Sequence, residues 1–327
     1  MEGVPVCDTP LAWVAVFFVC LNSNLFSGSV FAMKIGGVRR VVLGAVCVAG
    51  LAASAAGAQV LIHDEKSQPE SLSVGPGGVL YVGSASSPFV YKVAPGAKTA
   101  ETFVDASKEG EGTFFFGMLT DAATNTLWTC QLTPVPNTKP AQRHTALRGF
   151  DLKTGAEKLR WNLPGDNTTC NDFTLGPDKA LYISDTATSK IYRLAPGATS
   201  AELFMEHRLL NGIDGLTFLD GVLYVNNVVF SKLYRIPFGP DGKPKNPEDI
   251  WMDAPVKGPD GMRAANGKLY VAANGSGMVA SLTINGDRAH VTVLKDGLKT
   301  PTAVEPAGDT LWIAERGAGM AVPISLK

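Results

Sequence analysis

Two things are scarce in this 327-residue chain: cysteine and charge. Five cysteines are present, but Cys7, Cys20 and Cys47 fall in the first 58 residues. That leaves Cys130 and Cys170 for the remainder, too few for a disulfide-built scaffold. Asp, Glu, Lys and Arg make up 18% of the chain and the net charge is -1. The basic residues are scattered, so no field for nucleic acid exists. Histidines number four, which leaves little for a His-rich metal centre. Helical periodicity is absent after residue 58, which argues against a bundle or a doubly wound α/β fold.

What is abundant is turn chemistry. Gly 35 and Pro 21 suit many short strands joined by tight turns, and 45% hydrophobic residues can fill a full core.

Residues 1–58 read separately. From Met33, a basic stretch (Lys34, Arg39, Arg40), an apolar run from Val41 and the small residues Ala56-Gly57-Ala58 form a secretory signal with cleavage after Ala58. The alternative, a membrane anchor, needs a longer and less Ala/Gly-rich run. Met33 is the expected true start, with residues 1–32 an upstream segment; the alternative is an N-terminal anchor formed by its apolar stretch "LAWVAVFFVCL". The mature protein, 59–327, is then exported to the periplasm or secreted, without stable membrane association. In that oxidising compartment Cys130 and Cys170 either pair or remain buried thiols.

One unit recurs: a polar residue, a short apolar strand, a Gly or Asp turn, then Leu-Tyr or Leu-Trp. It appears as "ESLSVGPGGVLYVGS", "GMLTDAATNTLWTC", "NDFTLGPDKALYISDT", "DGLTFLDGVLYVNN", "DGMRAANGKLYVAAN" and "TAVEPAGDTLWIAER". The aromatic anchors are Tyr81, Trp128, Tyr182, Tyr224, Tyr270 and Trp312, spaced by 47, 54, 42, 46 and 42 residues. Two further strands follow each anchor. This predicts an all-β, six-bladed β-propeller of four-stranded blades. The sixth unit ends after three strands at Lys327. "AQVLIHDE", residues 58–65, has the fourth-strand pattern, so the mature N-terminal strand is expected to close the last blade and remove an exposed edge.

Aligned on the anchors, Glu70, Asn171, Asp214 and Asp260 share one position, at the start of the first strand. Gly117 and Thr302 occupy it in units two and six. In a propeller these starts converge on the axis. Three carboxylates and an amide brought together repel unless neutralised, and an all-oxygen set suits a hard divalent cation, Ca²⁺ before Zn²⁺, Mg²⁺ or Mn²⁺. The plainer reading is that such residues cap turns or face channel water. Cys130 ends a second strand and Cys170 precedes the neighbouring first strand on the same face, so a disulfide between them is geometrically reasonable.

"PES" at 69–71, "NDFTLGPD", "NGIDGLTF" and "GPDGMRAANGKLYVA" resemble blades of the gluconolactonase and senescence-marker-protein (regucalcin) family. The resemblance implies a six-bladed propeller with a divalent ion in its channel, opening sugar lactones. It places Glu70 on a metal-binding glutamate, Asp260 on an aspartate that binds metal and acts as general base, and Asn171 on an asparagine that contacts substrate or metal. The fourth unit departs, with Asp214 where the family carries asparagine; Asn211 would serve after a three-residue slip. In the implied chemistry Asp260 or Asp214 takes a proton from attacking water. Arg143 and His144, in a long loop of the second unit, are candidates for contact with a small-molecule substrate. His63 and His290 belong to outer strands. Asn167 begins an acceptor pattern for glycosylation. A strictosidine-synthase-like enzyme and a non-catalytic binding propeller with a structural cation are the alternatives. A monomer is expected.

Overall fold

The structure, a computed structural model, describes residues 58–62, 67–139 and 141–327. The upstream segment and signal, residues 1–57, lie outside the described residues, as does His63.

The described chain is all-β and propeller-like. Its helical content is three single 3₁₀ turns, at Pro76–Gly78, Arg208–Leu210 and Arg316–Ala318. Repeats one, two, three and six each form an antiparallel four-stranded sheet. Repeats four and five join into one sheet of eight. The reason lies at their outer edges. The last two strands of repeat five, Met278–Asn285 and Arg288–Lys295, have eight residues each. Their hairpin reaches the last strand of repeat four, Glu248–Met252, and pairs with it in parallel through Trp251 and Met252. Trp251 N donates to Asp287 O (2.9 Å), and the Arg288 guanidinium lies 4.8 Å from the Trp251 ring. An open strand edge has been covered by its neighbour.

The sheet of repeat six has three strands of its own and a fourth from the beginning of the described chain. Val60–Leu61 pairs antiparallel with Met320–Ser325, Val60 opposite Ala321. Val60 and Ile62 are buried there at 2% and 0% exposure. Of the segment 58–65 read from the sequence, residues 63–65 lie outside the described residues.

No single core exists. Six apolar clusters lie between successive repeats, the last joining repeat six to repeat one through Val60, Leu72, Ala303 and Ala314. The first strands of the repeats touch in cyclic order, one through six and back to one. The aromatic anchors sit on second strands as expected. The four tyrosines are buried and the two tryptophans, Trp128 and Trp312, partly so. The polar tip of Tyr81 is satisfied across the gap between sheets, its hydroxyl donating to Leu152 O at 2.8 Å.

Candidate functional site

All six first strands carry a register shift at their aligned start position. Pairing jumps across Pro69/Leu72, Phe116/Met118, Cys170/Phe173, Ile213/Leu216, Pro259/Met262 and Pro301/Ala303. Glu70, Gly117, Asn171, Asp214, Asp260 and Thr302 lie inside those intervals. A β-bulge re-aims side chains. Here it repeats around the ring and turns the same position inward six times. Second-strand side chains satisfy the loosened backbone. Ser184 Oγ accepts from Asp172 N (3.0 Å) and donates to Asp172 O (3.1 Å). Asn226 Oδ1 accepts from Gly215 N (3.1 Å), and its Nδ2 donates to Asp260 O (2.5 Å).

Close approach of the strands needs small residues. Gly117 has φ +45°, and a Cβ there would lie 2.4 Å from Asn171 O. A Cβ on Gly215 would lie 2.6 Å from Asp260 O.

Residues from all six starts line one cavity of about 10 Å³ on the axis, among them Glu70, Asn171, Asp214 and Asp260. Each of these four is 6% exposed. Asn171 Nδ2 donates to Asp214 Oδ2 and to Thr186 Oγ1, both at 2.9 Å. Asp260 Oδ2 accepts from Asn274 Nδ2 and Oδ1 from its neighbour's amide, Gly261 N, both at 3.0 Å. Asp214, and not Asn211, occupies the cavity. Asn211 ends the 3₁₀ turn Arg208–Leu210, where its carbonyl accepts from Asn227 Nδ2.

Burial dominates the electrostatics of this cluster. It pushes Glu70 well above the usual carboxylate range, with the Asp260 charge adding and Arg316 opposing. It does the same to Asp214, reinforced by Asp260 and Glu70 and softened by the Asn171 amide. Asp260 is raised to about 7 by burial, against hydrogen bonds from Asn274 and Gly261 that favour its ionised form.

Beside this ring lies a second polar layer that the sequence reading did not identify. Arg263, 7% exposed, reaches across the axis. Its Nη1 and Nη2 meet Asp172 Oδ2 and Oδ1 at 2.7 and 3.0 Å, a bidentate pair. Nη2 also donates to Met118 O (3.0 Å), and Nε lies 3.3 Å from Glu305 Oε2. Glu305 accepts from Ser73 Oγ at 3.0 Å. One guanidinium thus ties repeats two, three, five and six together. Its sequence signal was available: Ser73, Arg263 and Glu305 stand directly opposite the anchors Tyr81, Tyr270 and Trp312. Arg316 was also missed. Its guanidinium is held by Gln68 Oε1 through Nε and Nη2, both at 3.2 Å, and its charge bears on Glu70 and Asp260.

Arg143 and His144 are not in a loop and do not line the axial cavity. The second and third strands of repeat two extend as a long hairpin, pairing Pro134 with Arg143 and Thr133 with His144. His144 borders a separate polar cavity of about 250 Å³ with Glu109, Gln131 and Arg160. His207 caps the 3₁₀ turn by accepting from Leu209 N, and His290 faces Asp253 on an outer strand. Cys130 and Cys170 are joined in a disulfide with Cα atoms 5.4 Å apart.

Among the described residues, no group of three or more His, Cys, Asp and Glu side chains is arranged as a metal site. The donors at the axis are nonetheless all oxygen, as hard divalent cations require. The cavity volume is that of one ion or one water. Glu70, Asp214 and Asp260 are also held as reluctant anions, a condition that a cation relieves. By chemistry and size the residues fit such an ion.

No protein-family model matches the chain, and neither does any curated protein. Its fold has counterparts among solved structures. A protein provisionally named a gluconolactonase is 16% identical with a TM-score of 0.61, covering 79% of this chain and 88% of that one. Regucalcin from Agrobacterium tumefaciens, named a calcium-binding protein, is 17% identical with a TM-score of 0.60, covering 82% and 95%. Virginiamycin B lyase from Staphylococcus aureus is 14% identical with a TM-score of 0.57, covering 83% and 99%. At such identities the likeness speaks for the fold.

Proposed function

We propose that the chain is a six-bladed propeller, its eight-stranded sheet being two blades joined at their rims, and that it is a divalent-cation-dependent hydrolase of lactones or related esters. The observation carrying this reading is the convergence of Glu70, Asn171, Asp214 and Asp260 on one buried axial cavity. The names of the gluconolactonase and the calcium-binding regucalcin among its structural counterparts agree with it. Those four residues would hold the cation, Ca²⁺ by donor type. When bound, the ion would supply Lewis acidity to polarise a lactone carbonyl. Asp260 or Asp214 would take the proton of the attacking water. Asn274 and Asn171 fix the orientation of these two carboxyls. Arg316 contributes positive charge nearby.

A second reading, a binding propeller whose cation is structural, draws on the size of the cavity: about 10 Å³ admits no sugar ring. The test is metal analysis of protein purified without chelator, followed by a lactone panel monitored by acid release. Cation-dependent acid release that vanishes in Asp260→Ala is expected. A tightly bound cation with no turnover on any lactone or ester would overturn hydrolysis in favour of the structural role.

A further inference from the structure

The gaps between successive sheets are not filled alike, and the difference lies at the end of the first strands away from the axial cavity. Between repeats three and four the space is packed with rings. Tyr182 meets Phe204 and Phe218 edge-on at 4.9 and 5.0 Å, and Phe238 stacks on Phe218 at 6.3 Å. Between repeats one and two, Tyr81 packs edge-on against Phe103 at 5.1 Å, and Leu152 closes the gap at 4% exposure.

The corresponding place between repeats two and three is a cavity of about 600 Å³. Strand pairing gives the equivalences. Trp128 stands on its second strand where Tyr81 and Tyr182 stand on theirs, opposite Leu119 as they are opposite Ser73 and Thr174. Leu175 pairs with Leu181 as Phe218 pairs with Leu223, so Leu175 replaces Phe218. Leu194 pairs with Leu181 as Ile236 pairs with Leu223, so Pro196, two residues on, replaces Phe238. Two phenyl rings present in one gap are absent from the other. The lining that remains, with Trp128, Leu159, Leu175, Leu181, Leu194 and Pro196, is apolar.

The anchor's polar atom tells the same story. Tyr81 and Tyr182 place their hydroxyls on Leu152 O and Asp178 Oδ2. The indole Nε1–H of Trp128 is buried with no hydrogen-bond partner. An unmet buried donor is unfavourable, and native proteins keep few of them. The charge at the rim is positive. Lys158 and Lys179 both line the cavity, and neither forms an ion pair among the described residues. Lys158 Nζ is held by Thr124 O (2.7 Å) and Thr126 Oγ1 (2.9 Å), so its position is fixed, and it makes no direct ion pair although the Asp151 charge lies near. The one acidic lining residue, Asp121, has its carboxylate turned to Ala123 N, Thr124 N and Thr124 Oγ1.

We infer that this gap is a binding site, separate from the axial cavity, for a small planar aromatic anion such as an aryl carboxylate or sulfonate. Its rings take the place of the missing phenyl groups, and its anionic group faces the lysines at the rim, Lys158 and Lys179. The volume falls within the roughly 300–1,000 Å³ of ordinary ligand pockets, which are apolar with a few placed polar groups.

The probe is 8-anilinonaphthalene-1-sulfonate, titrated by fluorescence into the folded full-length chain. One saturable site is expected, with a melting temperature that rises with probe concentration because the native state is the binder. Leu175→Phe with Pro196→Phe restores the neighbouring gap's rings and should weaken binding at least tenfold. Lys179→Glu, at an exposed turn, leaves packing untouched. It should weaken binding in a salt-dependent manner even if the ring-filling variant does not fold. Absence of a saturable site, a melting temperature that falls with probe, or binding unchanged in both the ring-filling and Lys179→Glu variants would overturn the inference.

Discussion

Asp260 offers a direct way to test whether the axial carboxyls are strained anions. Its carboxyl moves from an ordinary 3.8 to about 7 on folding. Between those two values the folded chain holds a proton that the unfolded chain has released, so stability falls as pH rises across that window. Below it both states are protonated and above it both are ionised, and the slope from this group vanishes. At about 1.4 kcal/mol per pH unit, the loss attributable to Asp260 alone is on the order of 4 kcal/mol. Glu70 and Asp214 shift in the same direction and deepen it. Asp260→Asn keeps the shape and abolishes the titration. The measurement is urea unfolding of wild type and variant in chelator, from about pH 4 to about pH 8. Comparing the two chains cancels distant groups common to both, while Glu70 and Asp214, which feel the Asp260 charge, lose part of their own shift in the variant and add to the difference. The variant should gain on wild type progressively with pH, by a few kcal/mol at the alkaline end. Added Ca²⁺ should reverse the order there. Wild type gains from binding, by roughly 2.7 kcal/mol at a hundredfold excess over Kd, while the variant loses most of that gain. A difference between the two chains that stays constant from acid to alkaline pH in chelator would refute the raised carboxyl. A wild type indifferent to Ca²⁺ at every pH would refute the cation.

Replacing both Cys130 and Cys170 by Ala should lower stability by about 2–4 kcal/mol, since the bridge closes a loop across a sequence separation of 40; unfolding of oxidised and reduced protein gives the same comparison without mutation. Arg263→Met should cost about 3–5 kcal/mol, because Asp172 and Glu305 are left buried without their partner. Adding Asp172→Asn and Glu305→Gln should recover a large part of that loss, and an unfolding curve for the triple variant no better than the single would reject the network.

The parts of this molecule that could be read from the sequence are those set locally. Turn residues and the Leu-Tyr or Leu-Trp anchors recur at near-constant spacing because every repeat solves the same packing problem. Aligning them therefore predicted which positions would meet at the axis, and residues at all six do line the cavity. What escaped were features decided by contact between repeats. The bulge that turns Asp172 toward Arg263 is a property of strand pairing, not of the segment's composition. Arg263 lies 91 residues from Asp172 and becomes a partner only when the ring closes. Repeats four and five fuse because the Met278–Lys295 hairpin extends far enough at its tip to meet Trp251 and Met252, a matter of reach. Arg143 and His144 looked like loop residues after Lys139-Pro140, yet cross-strand pairing carries the hairpin past them. The axial arrangement itself shows why Asp214 is tolerable where its negative charge adds to two others. Asn171 donates to it directly, and Asp172, the next carboxylate along, is paired with Arg263, although its charge still bears on Asp214. The two polar layers therefore divide the work. One guanidinium satisfies the charges it touches and locks the ring, while Glu70, Asp214 and Asp260, the other acids lining the axial cavity, form no ion pair among the described residues. That is the condition under which a divalent ion binds with most effect on stability.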